Sequence, residues 1–237
     1  MEVLAVSDSH LFHGTEERER SLVSLLERER YDLLVLLGDM YDFWYEYRSV
    51  VPRYASLFTA TVITLARRRE VHYVSGNHDA WVGDFWKGNG VKVHRYGFQR
   101  TINGVRYLFT HGDYLFGSRK PGLIRAIFHS RWANLLFSLL HPDVGVLLAS
   151  RLSKESRKRE EEFDFSRIDR TVSEKGIDVL VSGHLHLPTV REIDGKVFAC
   201  PGDWMEHFTY LKIKGRRIEI RDREGKVLLW REVEVPP

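Results

Sequence analysis

The chain has 237 residues, of which 43% are hydrophobic and 29% are charged, and its formal net charge is +3. This composition is that of a globular protein long enough to bury a sizeable core, and it excludes a disordered chain. The single cysteine, Cys200, excludes an internal disulfide framework and a four-thiolate zinc site. No stretch approaches the roughly 18 apolar residues of a membrane-spanning helix. The N-terminus enters a strand pattern without a basic leader, which predicts a cytoplasmic location.

Short apolar runs bounded by polar residues or glycine recur along the chain and predict buried strands. They cover residues 3–6, 33–37, 71–74, 107–110 and 179–181. Apolar residues at helical spacing separate the first three runs, with one helix predicted from near Thr15 and another over about residues 51–69. The order strand, helix, strand, helix, strand favours parallel pairing with right-handed crossovers.

Turn dipeptides dominate the later part of the chain. Asn103-Gly104 and Asp194-Gly195 each separate two apolar alternating runs and predict hairpins, because these residue types tolerate positive φ. Further strands are predicted over residues 210–213, 218–220 and 227–235. This meander and the parallel half together predict an α/β fold in which two mixed sheets pack face to face between helices. We treat residues 1–237 as a single domain.

Clusters of polar residues follow the predicted strands. They are Asp8-Ser9-His10, Gly38-Asp39, Gly76-Asn77-His78-Asp79, His111-Gly112-Asp113 and Gly183-His184-Leu185-His186. The clusters offer carboxylate and amide oxygens and imidazole nitrogens, a ligand set that suits hard or borderline divalent ions. In open α/β sheets, ligands bind at the carboxyl ends of strands, so this topology predicts that the clusters meet. Each cluster alone has an ordinary explanation as a turn or a core histidine, but their joint occurrence argues against it.

The order and spacing of these clusters resemble the calcineurin-like metallophosphoesterase family. The resemblance implies a four-layer αββα sandwich and a two-metal site that cleaves phosphoesters. It also implies that one ion is held by Asp8, His10, Asp39 and His186, and that the other is held by Asp39, Asn77, His111 and His184. Asp39 would bridge the two ions. The expected ions are Mn²⁺, although Fe and Zn accept the same ligands.

Two further residues are expected to take part in catalysis. His78 matches no metal position, so we expect its imidazole to protonate the leaving oxygen or to hold the phosphate. Asp79 is expected to orient His78, with a loop-capping role as the alternative. Asn77 is also expected to contact the substrate, and Asp113 is assigned to a turn or to the surroundings of the ligands. The remaining histidines are interpreted as structural or surface residues, namely His13, His72, His94, His129, His141 and His207.

A basic and apolar segment over residues 118–160 is predicted to be a helical cap inserted in the domain. Residues 118–159 contain nine Lys/Arg and two Asp/Glu, a local charge of +7, and apolar residues recur at helical spacing. One interpretation is an amphipathic helix pair that packs on the main domain with a solvated basic face. The other is a lid that meets an acidic, apolar substrate or a membrane surface.

Several segments resemble one branch of the family, the UDP-2,3-diacylglucosamine pyrophosphohydrolases of lipid A biosynthesis. They are residues 38–44, 111–115, the end of the insertion and residues 201–204. The resemblance implies hydrolysis of a lipid-linked UDP-sugar to UMP and 2,3-diacylglucosamine 1-phosphate, at the cytoplasmic membrane surface and without spanning it. The candidate substrate contacts in the insertion are Arg151, Lys154, Arg157 and Lys158.

One departure from that branch keeps a second hypothesis open. The branch commonly has arginine where this chain has His78, whereas the wider family has histidine. Because histidine can donate a proton at neutral pH and arginine cannot, the alternative is a metallophosphoesterase for soluble substrates such as nucleotides or nucleic acid. A nuclease requires a continuous basic track, whereas the charge here is concentrated in one apolar segment. We therefore do not expect nucleic acid as the substrate, and the sequence makes no prediction of oligomeric state.

Overall fold

The computed structural model describes residues 1–116, 135, 137–147, 176–193 and 195–234. Its helices are α1 (Glu16–Arg28), α2 (Ser56–Ala66), α3 (Asp84–Gly88) and α4 (Asp113–Phe116). Its strands are β1 (Glu2–Val6), β2 (Leu33–Leu36), β3 (Glu70–Val74), β4 (Lys92–His94), β5 (Phe98–Ile102), β6 (Val105–Thr110), β7 (Val179–Ser182), β8 (Thr189–Ile193), β9 (Lys196–Cys200), β10 (Thr209–Lys214), β11 (Arg217–Asp222) and β12 (Val227–Glu232).

The first sheet has seven strands in the order β12-β11-β10-β1-β2-β3-β4. Strands β1 to β4 run parallel, and β10 joins them antiparallel to β1. Alternate residues of β1 face two separate cores, because successive side chains of a strand point to opposite faces. Leu4 and Val6 pack in the core that contains the side chains of α1 and α2, whereas Val3 and Ala5 face the second sheet.

The second sheet has five strands in the order β5-β6-β7-β9-β8. Strands β6, β7 and β9 run parallel, whereas β5 and β8 are antiparallel to their neighbours. The β5–β6 hairpin turns at Asn103 and Gly104, whose φ angles are 52° and 83°, as the sequence predicted. Leu115 of α4 packs on the outer face of this sheet with Leu108 and Leu180. Each sheet is therefore mixed and has helical residues on its outer face.

These observations confirm the predicted fold class, two mixed sheets flanked by helices. The sequence-based prediction was wrong only about individual elements. The second helix begins at Ser56, later than the predicted residue 51, and the sequence interpretation missed β4 and α3. Most of the insertion lies outside the described residues; within it, residues 142–147 are helical. In the part of the chain that the structure describes, no helix has the length and hydrophobicity needed to span a membrane.

Candidate dimetal site

The predicted ligands lie together at one edge of the sandwich. Asp8, Asp39 and Asn77 follow β1, β2 and β3, which run parallel in the first sheet. His111 and His184 follow β6 and β7, which run parallel in the second sheet. Because the carboxyl ends of parallel strands meet at the same edge of a sheet, each sheet contributes ligands from adjacent strand ends.

Asp8, His10 and His186 form a first group of candidate ligands. Nε2 of His186 lies 3.3 Å from Oδ1 of Asp8, and Nε2 of His10 lies 3.9 Å from the same oxygen. The potential ligand atoms of these residues all lie within 4.8 Å of one another. Asp8 and His10 are buried, whereas the side chain of His186 is 35% exposed, so the group is open to solvent on the His186 side.

Asp39, His111 and His184 form a second group, whose ligand atoms also lie within 4.8 Å of one another. Nε2 of His111 lies 3.3 Å from Oδ2 of Asp39 and 3.2 Å from Oδ1 of Asn77. Oδ2 of Asp39 also lies 3.9 Å from Nε2 of His10 in the first group. One carboxylate oxygen therefore faces both groups, which is the arrangement that a bridging ligand requires.

The donor atoms fit divalent cations. Oδ1 of Asp8 and Nε2 of His10 are buried and have no hydrogen-bond partner among the described residues, which is costly unless a cation or another group satisfies them. Nδ1 of His111 lies 2.8 Å from the carbonyl oxygen of Leu37, so that nitrogen carries the proton in the neutral ring. Its Nε2 then presents a lone pair toward Asp39 and Asn77, as in a histidine held for metal binding.

The backbone at these ligands adopts an uncommon conformation. Asp8, His10, Asp39, His184 and His186 all have positive φ, between 42° and 71°. For residues other than glycine this left-handed region is sparsely populated, and such strain concentrates at functional sites. The loops also depend on close packing at Gly76, where an added Cβ would lie 2.0 Å from Oδ1 of Asp39.

The electrostatics of the site keep its carboxylates ionised. Burial by itself raises the pKa of Asp8, but the nearby imidazoles of His186 and His111 lower it to about 2. Burial opposes ionisation of Asp39 as well, yet His111 and His78 hold its pKa well below the usual value. Burial also lowers the pKa of His10 and His184 and favours their neutral, ligating forms. At His111 and His186 burial likewise favours the neutral ring, but the carboxylates outweigh it: Asp39 and Asp8 raise the pKa of His111 well above the usual value, and Asp8 raises that of His186. A cation at this site would therefore compete with protons on these two rings.

His78 adjoins both groups, and its ring lies beside Asp42. Nδ1 of His78 lies 3.1 Å from the carbonyl oxygen of Asp42 and 3.7 Å from Oδ1 of Asp42. Its backbone N–H donates to Oδ1 of Asp39 at 2.8 Å. The carboxylate beside the His78 ring is thus that of Asp42, and the orienting role expected of Asp79 stays a prediction.

Asp79 fixes the loops that carry the ligands. Its Oδ1 accepts the N–H of Gly76 at 2.7 Å, and its Oδ2 accepts the N–H of Met40 at 2.9 Å and the hydroxyl of Tyr73 at 2.5 Å. Burial, together with the charge of Asp39, raises the pKa of Asp79 to about 6. These contacts match the loop-capping alternative for Asp79.

An aromatic cluster joins the site to the insertion. Phe137 of the insertion lies 5.6 Å from Phe43, 4.7 Å from Tyr45 and 5.3 Å from Trp81, measured between ring centroids. Phe43 directly follows Asp42, so the insertion packs on the loop that holds His78. The four predicted substrate contacts of the insertion lie outside the described residues: Arg151, Lys154, Arg157 and Lys158.

Two acidic residues near the site were missed by the sequence interpretation. Asp42 was part of an aromatic run after Asp39 and received no role, although its Oδ1 lies 3.4 Å from Nδ1 of His10. Asp203 was noted only as part of a motif, yet the N–H of the next residue, Trp204, donates to the carbonyl oxygen of Asp8 at 3.2 Å. The sequence contains no signal for either role, because aspartate is common in loops and neither residue ends a predicted strand.

Comparison with known proteins gives two consistent results. The family model for the calcineurin-like phosphoesterase superfamily domain matches residues 1–222. A protein of Porphyromonas gingivalis named UDP-2,3-diacylglucosamine hydrolase is 30% identical over 251 residues, covering 92% of this chain and 96% of that protein. A protein of the same name from Aeromonas salmonicida is 27% identical over 229 residues, covering 89% of each chain.

Solved structures support the fold. The phosphoesterase Yfce from E. coli aligns with a TM-score of 0.55 at 16% identity and covers 99% of this chain and 100% of that chain. A single mutant of Vps29 from Entamoeba histolytica aligns with a TM-score of 0.53 at 16% identity and covers 93% and 90% of the respective chains. At this level of identity the alignments establish only a shared architecture.

Proposed function

This chain belongs to the calcineurin-like phosphoesterase superfamily, and from that premise we propose that it hydrolyses the diphosphate of UDP-2,3-diacylglucosamine to UMP and 2,3-diacylglucosamine 1-phosphate. The single observation that carries the phosphoester chemistry is the position of Asp39. Its Oδ2 faces His10 of one ligand group at 3.9 Å and His111 of the other at 3.3 Å. The substrate is inferred from the relatives that carry the name of that hydrolase.

Each ligand group would hold one divalent cation, with Mn²⁺ as our choice and Fe or Zn as ions that suit the same donors. The residues are Asp8, His10, Asp39 and His186 for one ion, and Asp39, Asn77, His111 and His184 for the other. When bound, such a pair of ions supplies an activated water and neutralises charge on phosphoryl oxygens. The chain's own contribution is to keep the carboxylates ionised and the histidines oriented toward a common centre.

His78 would act on the leaving group. Its backbone is held by Asp39 and its Nδ1 by Asp42, so the ring has a fixed orientation beside both ligand groups. A histidine in this position can donate a proton to the leaving oxygen, a role that requires hydrogen-bond reach rather than metal binding. Oδ1 of Asn77 lies 3.2 Å from Nε2 of His111. Because the residue is also exposed, we expect Asn77 to contact the substrate phosphate as well.

The described part of the insertion supports a lipid substrate. The side chains of Leu139 and Leu147 are 76% and 54% exposed. The segment that contains them carries a local charge of +7 over residues 118–159. Exposed apolar side chains suit acyl chains or a bilayer surface, and cationic side chains suit a diphosphate. We therefore propose Arg151, Lys154, Arg157 and Lys158 as substrate contacts and a peripheral association with the inner membrane.

A second candidate function follows from His78. A proton-donating histidine suits many phosphoesters, so hydrolysis of soluble nucleotides is the alternative to the lipid substrate. The two functions differ in whether the acyl chains contribute to recognition.

A comparison of substrates tests the proposal. With Mn²⁺, the purified protein should hydrolyse UDP-2,3-diacylglucosamine far faster than bis-p-nitrophenyl phosphate or single-stranded DNA, and mass spectrometry should identify UMP as a product. UDP-N-acetylglucosamine, which lacks the two acyl chains of the lipid, is the matched control and should be a poor substrate. Comparable rates on all four compounds would refute the lipid assignment and leave a general phosphoesterase.

A further inference from the structure

A second carboxylate–imidazole pair lies beside the metal site, in the loop between β9 and β10. Nδ1 of His207 lies 2.6 Å from Oδ2 of Asp203. The loop is tied to the first ligand group, because the N–H of Trp204 donates to the carbonyl oxygen of Asp8 at 3.2 Å.

Asp203 uses its two oxygens for different purposes. Oδ1 accepts the backbone N–H groups of Met205, Glu206 and His207 at 2.7, 2.6 and 3.2 Å, which is enough to fix the turn. Oδ2 contacts the imidazole of His207, whose side chain is 42% exposed although Asp203 is almost fully buried. A buried carboxylate therefore restrains an exposed side chain that would otherwise rotate in solvent.

This contact determines which nitrogen His207 presents outward. Burial by itself raises the pKa of Asp203, but the hydrogen bonds from His207 and the turn amides outweigh burial and bring the pKa below its usual value. The carboxylate is therefore ionised. An ionised carboxylate can only accept, so Nδ1 is the donor and Nε2 carries the lone pair of the neutral ring. A fixed lone pair on an exposed nitrogen is an acceptor for a hydroxyl group.

We propose that His207 binds a hydroxyl group of the sugar nucleotide through Nε2, an inference that rests on the function proposed above. The diphosphate of that substrate lies between two sugars, ribose and glucosamine, and both carry hydroxyl groups. The loop of His207 is tied to the backbone of Asp8 through Trp204, and the candidate site is open to solvent at the neighbouring His186, whose side chain is 35% exposed. His207 is thus a substrate-binding residue outside the metal ligands, and Asp203 is its positioning residue.

Steady-state kinetics of three variants test the binding role. His207→Ala should raise KM for UDP-2,3-diacylglucosamine about 3- to 10-fold, the cost of one lost hydrogen bond, with kcat changed less than about twofold. His207→Phe keeps a ring without the nitrogen and should behave like His207→Ala. His207→Gln keeps an acceptor and should recover most of the affinity. Glu206→Ala, a neighbouring exposed position whose backbone bond is retained, is the matched control and should resemble the wild type.

Product binding identifies which sugar is recognised. Calorimetry with the Mn²⁺-loaded protein should show that His207→Ala weakens binding of UMP if the ribose is bound, or of 2,3-diacylglucosamine 1-phosphate if the glucosamine is bound. Unchanged KM and unchanged affinity for both products would overturn the inference, as would a fall in kcat alone. With wild-type hydrolysis intact, such results would leave the proposed function standing. Absence of hydrolysis by the wild type would instead overturn the proposed function itself.

Discussion

The carboxylate of Asp42 lies between two histidines of different proposed roles, His10 and His78. Its Oδ1 is 3.4 Å from Nδ1 of His10 and 3.7 Å from Nδ1 of His78. The two imidazole rings meet edge to face, with centroids 4.7 Å apart. Because Nδ1 of His78 is the nitrogen beside Asp42, the proton transfer that we propose for His78 involves its Nε2.

The first prediction concerns His78. The variant His78→Ala should keep its bound metal, because His78 belongs to neither proposed ligand set, while kcat falls by about 10²- to 10⁴-fold through loss of the general acid. Metal content by mass spectrometry and single-turnover hydrolysis of UDP-2,3-diacylglucosamine measure the two effects. His94→Gln, a histidine substitution on β4, should leave kcat unchanged at neutral pH. An unaltered kcat in His78→Ala would refute the acid role.

The second prediction concerns Asp42. Removing its charge in Asp42→Asn should lower kcat about 10-fold, the lower end of the effects seen for residues that orient a metal ligand or a catalytic group. Because Asp42 acts on catalysis partly through His78, the double variant with His78→Ala should lose less than the product of the two single effects. A double-mutant cycle on kcat measures this coupling. Independent, multiplicative losses would show that Asp42 does not position His78.

The third prediction concerns Asp39. The variant Asp39→Ala should bind fewer than two ions per chain and lose turnover by roughly 10³-fold or more, because both ligand groups share this carboxylate. Metal stoichiometry after gel filtration is the direct measurement. Asp84→Ala is the matched control, since the Asp84 side chain is 97% exposed and belongs to neither proposed ligand set. Retention of two ions in Asp39→Ala would refute the bridging assignment.

The sequence predicts the convergence of the ligands because parallel strands impose it. Once β1, β2 and β3 are recognised as parallel neighbours, Asp8, Asp39 and Asn77 must lie along one edge of the first sheet. The same reasoning brings His111 and His184 together after β6 and β7. The family assignment and the fold class follow from these strand ends.

The roles of carboxylates in loops were harder to predict from the sequence, because they depend on the path of the backbone. Asp79 follows His78 in sequence, yet its oxygens turn to Tyr73 and to the amides of Met40 and Gly76. The positive φ of His10 cannot be anticipated from residue type, because this conformation is uncommon for every residue other than glycine. Strand β4 has three residues, too few for a periodicity to identify.

The fourth prediction distinguishes a structural Asp79 from a catalytic one. Asp79→Ala leaves two backbone N–H groups and one hydroxyl without their acceptor, so the free energy of unfolding should fall by about 3 kcal/mol or more. Tyr73→Phe removes one of these donors and should cost about 1 kcal/mol. Urea unfolding of both variants gives the comparison. Wild-type stability in Asp79→Ala, combined with loss of kcat, would favour the catalytic interpretation.

The fifth prediction concerns pH and a histidine pair away from the metal site. Nε2 of His94 lies 3.0 Å from Nδ1 of His72, whose Nε2 lies 2.9 Å from Oε1 of Glu70. Lys92 and Arg100 also contact that glutamate oxygen, so two cations lie close to the pair. Burial, together with the charges of His72 and Lys92, lowers the pKa of His94 to about 4.

The depressed pKa of His94 fixes the sign of its effect on stability. Between about pH 6.5, the ordinary pKa of histidine, and pH 4, the unfolded chain binds a proton that the folded chain excludes. Stability should therefore decline as the pH falls through this window, and His94→Gln should show a shallower decline. Urea midpoints at pH 7.5 and pH 5 for both proteins measure the difference. Because His72 and other histidines also titrate, the informative quantity is the change in slope between wild type and variant. Equal slopes would mean that His94 protonates as readily in the folded chain as in the unfolded one.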